Sequence, residues 1–237
     1  MKLQTYTDKN EVAEAFSKYI AQIIIDSSTA VHIALSGGST PKVVFDYLAA
    51  NYKDSIEWSK VYLYWGDERC VPPTDAESNY KMTVDHLLSK ITIPADNIHR
   101  VLGEMEPKDA AKVYQEVLDT TIPKANGMPQ FDVVILGMGD DGHTASIFPH
   151  EISLWDAPET CVVAVHPESG QRRVSLSGGV INNAKNVVFL VTGAGKKEKV
   201  TEIINQTGAF NNYPANLVKP THGELVWFLD TAAAAAV

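Results

Sequence analysis

The sequence predicts an α/β fold, in which a mostly parallel sheet carries helices on both of its faces. Short apolar runs alternate with helical patterns along almost all of the 237 residues, and crossover helices of this kind join parallel strands. The apolar runs are nearly continuous, which is typical of strands covered on both sides. No linker, repeat or low-complexity tract divides the chain. We therefore expect a single domain over residues 1–237, with a smaller subregion around 75–125.

Capping residues mark the helix starts in the first half of the chain. Asp8 and Glu11 have the spacing of a capping box, and apolar residues at 12, 16, 19 and 23 continue the helical pattern. Thr40 is predicted to cap the second helix, with Pro41 at its first position. Strands are predicted in this half at 30–35 and 61–65, and further helices at 79–90 and 107–119.

The second half contains the most compact apolar run, residues 131–136, which predicts a buried strand. The elements after it repeat the alternation of strand and helix. Further strands are predicted at 161–165, 187–191 and 225–229, and helices at 178–185 and 196–205.

Composition narrows the classes of partner. The formal net charge of −9 argues against nucleic acid or an anionic membrane as a partner, since both need a basic surface. The two cysteines, Cys70 and Cys161, lack metal-type spacing and make no disulfide framework. The polar N-terminal residues and the absence of a long apolar run lead us to expect neither a signal peptide nor a membrane-spanning segment. We expect a cytoplasmic protein that is a monomer or a weak homodimer.

The segment 137–149 is the most informative part of the sequence. Three glycines and two acids follow the buried strand and lead directly to His143. Open α/β sheets bind ligands beyond the carboxyl ends of their strands, and glycines there allow a ligand to approach the backbone. Neutral imidazole suits a general base. Asp141 could orient the ring, although the sequence leaves open whether Asp141 or Asp67 is its partner.

Other interpretations of these residues have less support. Gly137-x-Gly139-x-x-Gly142 matches a dinucleotide fingerprint as a string, but the acid expected at the end of a second strand about 20 residues later is missing. Asp67, Asp141 and His143 could in principle bind zinc, yet no recognised ligand spacing supports it. Nothing near Cys70 suggests an activated thiolate. We expect no cofactor and no metal.

Further segments at strand ends are candidates for binding an anion. The residues Ser36, Gly37, Gly38 and Ser39 join a strand to a helix start, as in a phosphate-binding loop. Asp67 and Arg69 follow the strand 61–65 and offer a proton-transfer group and an anion clamp. Cations recur in the segments 172–175 and 191–197. In an acidic protein, such loops at strand ends suggest one phosphorylated small ligand.

The chain resembles the glucosamine-6-phosphate isomerase/6-phosphogluconolactonase family. The resemblance rests on four motifs in order across residues 35–230, and it implies a Rossmann-like fold related to glucosamine-6-phosphate deaminases, ribose-5-phosphate isomerases and CoA transferases. The sequence departs from the pattern at Ser177-Gly178-Gly179, where more apolar residues are expected. The motifs are Leu35–Pro41; Trp65–Arg69 with Val71-Pro72 and Ser78-Asn79-Tyr80; Gly137–Pro149; and Arg173-Val174 with Val191–Lys196.

The resemblance implies a role for each candidate residue. It implies hydrolysis of 6-phosphogluconolactone in the oxidative pentose phosphate pathway without a cofactor. By the matching motifs His143 is the catalytic base, and Asp67 and Arg69 are active-site groups. The resemblance also implies that the substrate phosphate is bound by the 36–39 loop, Arg173 and Lys196.

Two alternatives come from different functional classes. A sugar-phosphate isomerase or deaminase of the glucosamine-6-phosphate type resembles this chain around Asp-Gly-His, but that type carries an Asn-Glu-Pro ending where this sequence has Ile147-Phe148-Pro149. The missing glutamate favours the lactonase. A non-catalytic sugar-phosphate sensor would lose the acid–base groups, and His143, Asp67 and Asp141 are all present.

Overall fold

The computed structural model describes residues 1–235. Strands and helices alternate in the first and last parts of the chain, as the sequence predicts, whereas five strands follow one another over residues 124–176 with no α-helix between them. The strands are β1 (Lys2–Tyr6), β2 (Val31–Leu35), β3 (Val61–Trp65), β4 (Asp67–Arg69), β5 (Lys124–Ala125), β6 (Met128–Pro129), β7 (Val133–Leu136), β8 (Cys161–Val165), β9 (Arg172–Leu176), β10 (Asn186–Val191) and β11 (Glu224–Asp230). The helices are α1 (Lys9–Asp26), α2 (Ser39–Asn51), α3 (Asn79–His86), α4 (Pro107–Thr121), α5 (Gly178–Asn182) and α6 (Lys197–Asn205).

A six-stranded parallel sheet forms the centre of the molecule, in the order β1–β11–β10–β7–β2–β3. The mostly parallel α/β prediction is thereby confirmed. β1 was not predicted from the sequence, because its short, partly exposed segment KLQTY lacks an apolar run. It lies at an edge, and its one neighbour in the sheet is β11, with Lys2 opposite Val226. Among the described residues, no helix is long and apolar enough to cross a membrane.

Alternating side chains of the central strands build two apolar layers. In β7, Val133 and Ile135 enter the layer beneath α1 and α2, whereas Val134 and Leu136 enter the layer beneath α4, α5 and α6. β10 and β11 alternate in the same way. All four β7 side chains are therefore buried, which explains why this strand is a continuous apolar run in the sequence.

A second sheet of three antiparallel strands, in the order β4–β9–β8, lies apart from the parallel one. The strand predicted at 161–165 belongs to this sheet and not to the parallel sheet that the alternation suggested. The sequence does not predict β4 and β9 as strands, because both segments contain charged residues. It therefore predicts no antiparallel partner for β8. In the β4–β9 register Asp67 lies opposite Ser175, and Arg69 lies opposite Arg173.

The predicted cap of α2 is wrong. The helix begins at Ser39, and its N-cap is Gly38, with φ 109° and no capping side chain. A φ of this sign favours glycine, so the turn requires Gly38. Thr40 Oγ1 instead lies 2.8 Å from Thr192 Oγ1 and joins the start of α2 to the loop after β10. At α1, in contrast, the predicted Asp8 cap is confirmed, since its side chain accepts hydrogen bonds from two backbone N–H groups.

Two other helices are shorter than the sequence pattern. The helix expected over 79–90 ends at His86 and continues as a 3-10 turn over Leu88–Lys90. The helix expected over 178–185 ends at Asn182. A Cβ on Gly178 would lie 2.2 Å from the Trp155 indole. This close packing explains the small residue at a position where the family resemblance leads one to expect an apolar side chain.

Candidate active site

A cleft of about 230 Å³ opens beyond the carboxyl ends of the parallel strands. The loops after β2, β7 and β10 meet there, together with β4, β9 and the start of α3, as expected for a ligand site in an open α/β sheet. The cleft is lined by Ser36, Gly37, Gly38, Asp67, Arg69, Asn79, Gly137, Met138, Gly139, His143, Ala145, Arg173 and Lys196. Eight of the ten residues singled out from the sequence are in this lining, and the other two, Ser39 and Asp141, lie behind it.

His143 is held by Asp141. The imidazole Nδ1 lies 2.7 Å from Asp141 Oδ1, which also accepts the His143 backbone N–H at 3.1 Å. Burial raises the pKa of the Asp141 carboxyl, but the hydrogen bonds and charge of His143 outweigh burial and bring it to about 2. An ionised carboxylate can only accept, so Nδ1 carries the proton in the neutral ring. The lone pair is then on Nε2.

Close packing fixes the position of this pair. A Cβ on Gly139 would lie 2.1 Å from His143 Nδ1 and 2.6 Å from Asp141 Oδ1, so the pair occupies the space of a side chain. The ring of Phe148, fully buried, lies 4.6 Å from the His143 ring between centroids. The same ring is 5.7 Å from the Arg173 guanidinium carbon. Phe148 is therefore a shared support for the histidine and for one cleft cation.

Asp67 has a different partner from Asp141. Its Oδ2 accepts a hydrogen bond of 2.6 Å from Ser146 Oγ, and the Ser146 backbone N–H donates to Ser175 Oγ at 3.1 Å. All three residues are buried. This network joins the loop after β7 to the small sheet and directs a buried carboxylate at the cleft. The geometry thus answers the open question from the sequence, because Asp141 and not Asp67 contacts the histidine.

Two arginines face each other across the β4–β9 pair. The contacts of Arg69 include the Glu77 carbonyl, to which Nη1 donates, and Arg173 Nε donates to the Gln171 amide oxygen at 3.3 Å. Burial and the nearby charge of Arg69 lower the pKa of Arg173 from its usual value. Two arginines at opposed positions of β4 and β9, each with a neutral hydrogen-bond partner, have the chemistry that suits an anion.

The loop after β2 adds backbone donors to the cleft. Within the described chain, the backbone hydrogen bonds outside helices and strands include none donated by Gly37 or Gly38, and the first N–H groups of α2 follow them. A Cβ on Gly37 would lie 2.0 Å from Asn79 Oδ1, so only glycine fits there. Ser39 faces away, and its hydroxyl accepts from Lys9 at 3.2 Å.

Asn79, to which the sequence analysis assigns no role, completes the wall of the cleft, and Glu68 supports it from behind. The buried Glu68 carboxylate accepts from the backbone N–H groups of Asn79 and Tyr80, which fixes the start of α3. Burial raises the pKa of Glu68, and these hydrogen bonds oppose that rise. The Asn79 side chain donates to the Asp67 carbonyl at 2.9 Å. Its signal in the sequence was the Ser-Asn-Tyr tripeptide in a matching motif.

Neither a zinc site nor a reactive cysteine has supporting geometry in the part of the chain that the structure describes. No group of three His, Cys, Asp or Glu side chains within residues 1–235 could hold a metal ion. Cys70 is half-buried, and burial together with the charge of Glu68 raises the pKa of its thiol. A raised pKa keeps the sulfur protonated and unreactive.

Comparison with known proteins points to one family. The model of the family "Glucosamine-6-phosphate isomerases/6-phosphogluconolactonase" matches residues 7–227. The chain is 47% identical to the 6-phosphogluconolactonase of Haemophilus influenzae over 204 residues, which cover 86% of each chain. It is 42% identical to that of Treponema pallidum over 209 residues, 88% of this chain and 86% of the relative.

Solved structures agree with the sequence matches. The 6-phosphogluconolactonase of Trypanosoma brucei superposes with a TM-score of 0.89 at 31% identity, covering 99% of this chain and 97% of the other. A monomeric glucosamine-6-phosphate deaminase superposes over the full length of both chains with a TM-score of 0.85, but its 17% identity shows a shared fold alone. The chain therefore belongs to the glucosamine-6-phosphate isomerase/6-phosphogluconolactonase family.

Proposed function

We propose that this protein is a 6-phosphogluconolactonase, which hydrolyses 6-phospho-D-glucono-1,5-lactone to 6-phospho-D-gluconate in the oxidative pentose phosphate pathway. One observation carries the proposal: His143, oriented by the Asp141 carboxylate, lines the same cleft as Arg69, Arg173 and Lys196. A base and a cluster of cations in one small cleft suit an ester that also carries a phosphate. The names of the curated relatives support the same activity.

His143 acts as the general base in this proposal. Nδ1 is engaged with Asp141, so Nε2 takes a proton from water as the water oxygen bonds to the lactone carbonyl carbon. The tetrahedral intermediate collapses with cleavage of the bond between that carbon and the ring oxygen. The imidazolium returns its proton to the departing oxygen, and Asp141 stabilises the cation in between. A δ-lactone is an activated ester, so no covalent nucleophile is needed.

The cleft offers two kinds of anion binder for the two anionic groups of the reaction, the oxyanion and the phosphate. Arg69 or the free N–H groups of the glycine loops stabilise the oxyanion. The 36–39 loop, Arg173 and Lys196 hold the phosphate, which is remote from the carbonyl and positions the substrate. Asp67 lies buried in the cleft wall and accepts from Ser146, which leaves Oδ1 to accept from a sugar hydroxyl.

The deaminase alternative lacks its carboxylate in this cleft. Phe148 stands at the position where the resemblance places a glutamate in deaminases, and its ring is packed against His143. A buried aromatic ring cannot transfer a proton to a sugar ring oxygen.

The proposal also includes the location and the partners of the protein. We propose a cytoplasmic protein that acts as a monomer or weak homodimer, without nucleic acid or a membrane as partner.

The test is acid release from freshly made 6-phosphogluconolactone, with spontaneous hydrolysis subtracted. His143→Asn should lower kcat by about 10²- to 10⁴-fold, the usual contribution of a general base. His86→Asn is a matched control, since His86 Nδ1 also lies 2.8 Å from a carboxylate, Asp46, but on the surface between α2 and α3. Near-normal hydrolysis by His143→Asn would overturn the mechanism.

Two outcomes would favour the alternatives. Ammonia release from glucosamine 6-phosphate, without lactone hydrolysis, would indicate a deaminase. Binding of either phosphorylated sugar with no turnover would indicate a sensor.

A further inference from the structure

Asp140 and Lys196 form an ion pair at the rim of the cleft. Lys196 Nζ lies 2.6 Å from Asp140 Oδ1. Lys196 lines the cleft and only 24% of its side chain is exposed, whereas 78% of the Asp140 side chain is exposed. The pair joins the loop after β7 to the turn before α6. The lysine proposed as a phosphate ligand therefore already has an anionic partner before substrate arrives.

A substrate phosphate must compete with the Asp140 carboxylate for this lysine. A carboxylate that is mostly in water gains little from an ion pair, about a factor of one to five in an equilibrium constant. A phosphate brings nearly two negative charges and three acceptor oxygens, and it meets Arg173 as well. The phosphate therefore wins the competition, but its affinity is reduced by the contact it replaces and by repulsion from Asp140.

Asp140 and its neighbour Asp141 contact different residues, so a change at Asp140 leaves the contact of Asp141 with the histidine in place. Asp141 turns inward to His143, while Asp140 turns outward to Lys196. Phosphate contacts are remote from the carbonyl and are the same in substrate and product, so a change in them alters both affinities alike. A weaker phosphate contact thus speeds the departure of a phosphorylated product.

We propose that Asp140 is a specificity-determining residue that competes with the substrate phosphate for Lys196, and so limits how tightly phosphorylated substrate and product are held. This inference rests on the proposed function. When phosphate binds, Lys196 exchanges Asp140 for a phosphate oxygen, and the Asp140 carboxylate turns to water. When product leaves, the ion pair forms again.

Asp140→Asn tests the inference. We expect kcat/KM for 6-phosphogluconolactone to rise about two- to fivefold and the Ki of 6-phosphogluconate to fall by the same factor. The kcat/KM for unphosphorylated glucono-1,5-lactone should change by less than either. The gain should shrink in 0.5 M salt, which screens exposed charges, and Asp140→Glu should restore values near those of the unmodified protein.

Asp54→Asn is a control that removes one exposed negative charge far from the cleft. Asp54 follows the far end of α2, whose 13 residues span about 20 Å from the cleft. An equal gain in this control, or an equal gain with the unphosphorylated lactone, would overturn the inference. Weaker product binding by Asp140→Asn would also overturn it, because Asp140 would then be orienting Lys196 and not competing for it.

A double variant shows whether Asp140 acts through Lys196. In a Lys196→Met background, Asp140→Asn should tighten product binding less than it does in the unmodified protein; an undiminished effect would contradict the inference. Product binding measured by titration calorimetry needs no turnover. A protein that fails to hydrolyse the lactone would therefore overturn the proposed function, while the calorimetry would still decide the role of Asp140.

Discussion

Gly139→Ala should lower the catalytic rate strongly, because a single added methyl group displaces the His143 ring. The added Cβ would lie 2.1 Å from His143 Nδ1, whereas ordinary contacts of a Cβ begin at 3.4 Å. The imidazole must therefore retreat by about 1.3 Å, and misplacing a catalytic group by about 1 Å costs on the order of 100-fold in rate. This corresponds to about 2.7 kcal/mol in activation free energy.

Backbone strain does not contribute to this loss. Gly139 is not one of the described glycines with positive φ, so alanine can adopt its backbone conformation. We expect kcat to fall about 100-fold while the thermal unfolding midpoint falls by only a few degrees, because the loop is at the edge of the core. The assay is acid release from the phosphorylated lactone, paired with thermal unfolding followed by circular dichroism.

A matched glycine lies across the cleft rim. A Cβ on Gly195 would meet Asp140 Oδ1 at 3.6 Å, an ordinary contact, and its φ is likewise not positive. Gly195→Ala should therefore retain most of the activity. A Gly139→Ala protein within threefold of the unmodified rate would refute the reasoning, as would an equal loss in the Gly195→Ala protein.

Two further predictions concern the carboxylates of the cleft. The pKa of Asp141 is about 2, below its usual 3.8, so its pair with His143 adds stability above pH 4 that is lost as the pH falls toward 2. Asp141→Asn should thus lower the free energy of unfolding by less than about 1 kcal/mol at pH 7, because the carboxylate is partly exposed. In urea unfolding the difference should shrink as the pH falls through 2, and a difference that stays constant over this range would exclude a charge effect. Ser146→Ala should lower the free energy of unfolding by about 1–3 kcal/mol, because it leaves the buried Asp67 carboxylate without its 2.6 Å donor; kcat/KM should fall with it, and a variant as stable and active as the original would show that this hydrogen bond is dispensable.

The parts of the fold that could be predicted are those with strong local signals. The four β7 residues are apolar because both faces of the sheet are covered there, and Asp8 caps α1 through hydrogen bonds to its own neighbours. The small sheet could not be predicted in this way. Asp67–Arg69 and the start of β9 are charged, and they become strands because they pair with each other at the cleft. That residues 1–237 form a single domain stays a prediction.

The candidate site shows the same division between local and long-range information. The Asp141–His143 contact spans two residues, so the sequence could suggest it. Two other features depend on contacts between distant segments: Ser146 lies 79 residues from Asp67, and Asn79 reaches the cleft through the Glu68 carboxylate. No periodicity or local motif encodes such distances.

The pairing of β1 with β11 has a consequence for how the molecule is completed. Lys2 lies opposite Val226, and β11 is the one neighbour of β1 in the sheet. On the ribosome β1 is made long before β11, and it has no strand to pair with until β11 has emerged. Contacts of such long sequence separation form slowly. β1 is therefore among the last segments to join the native sheet, although it is synthesised long before its partner strand.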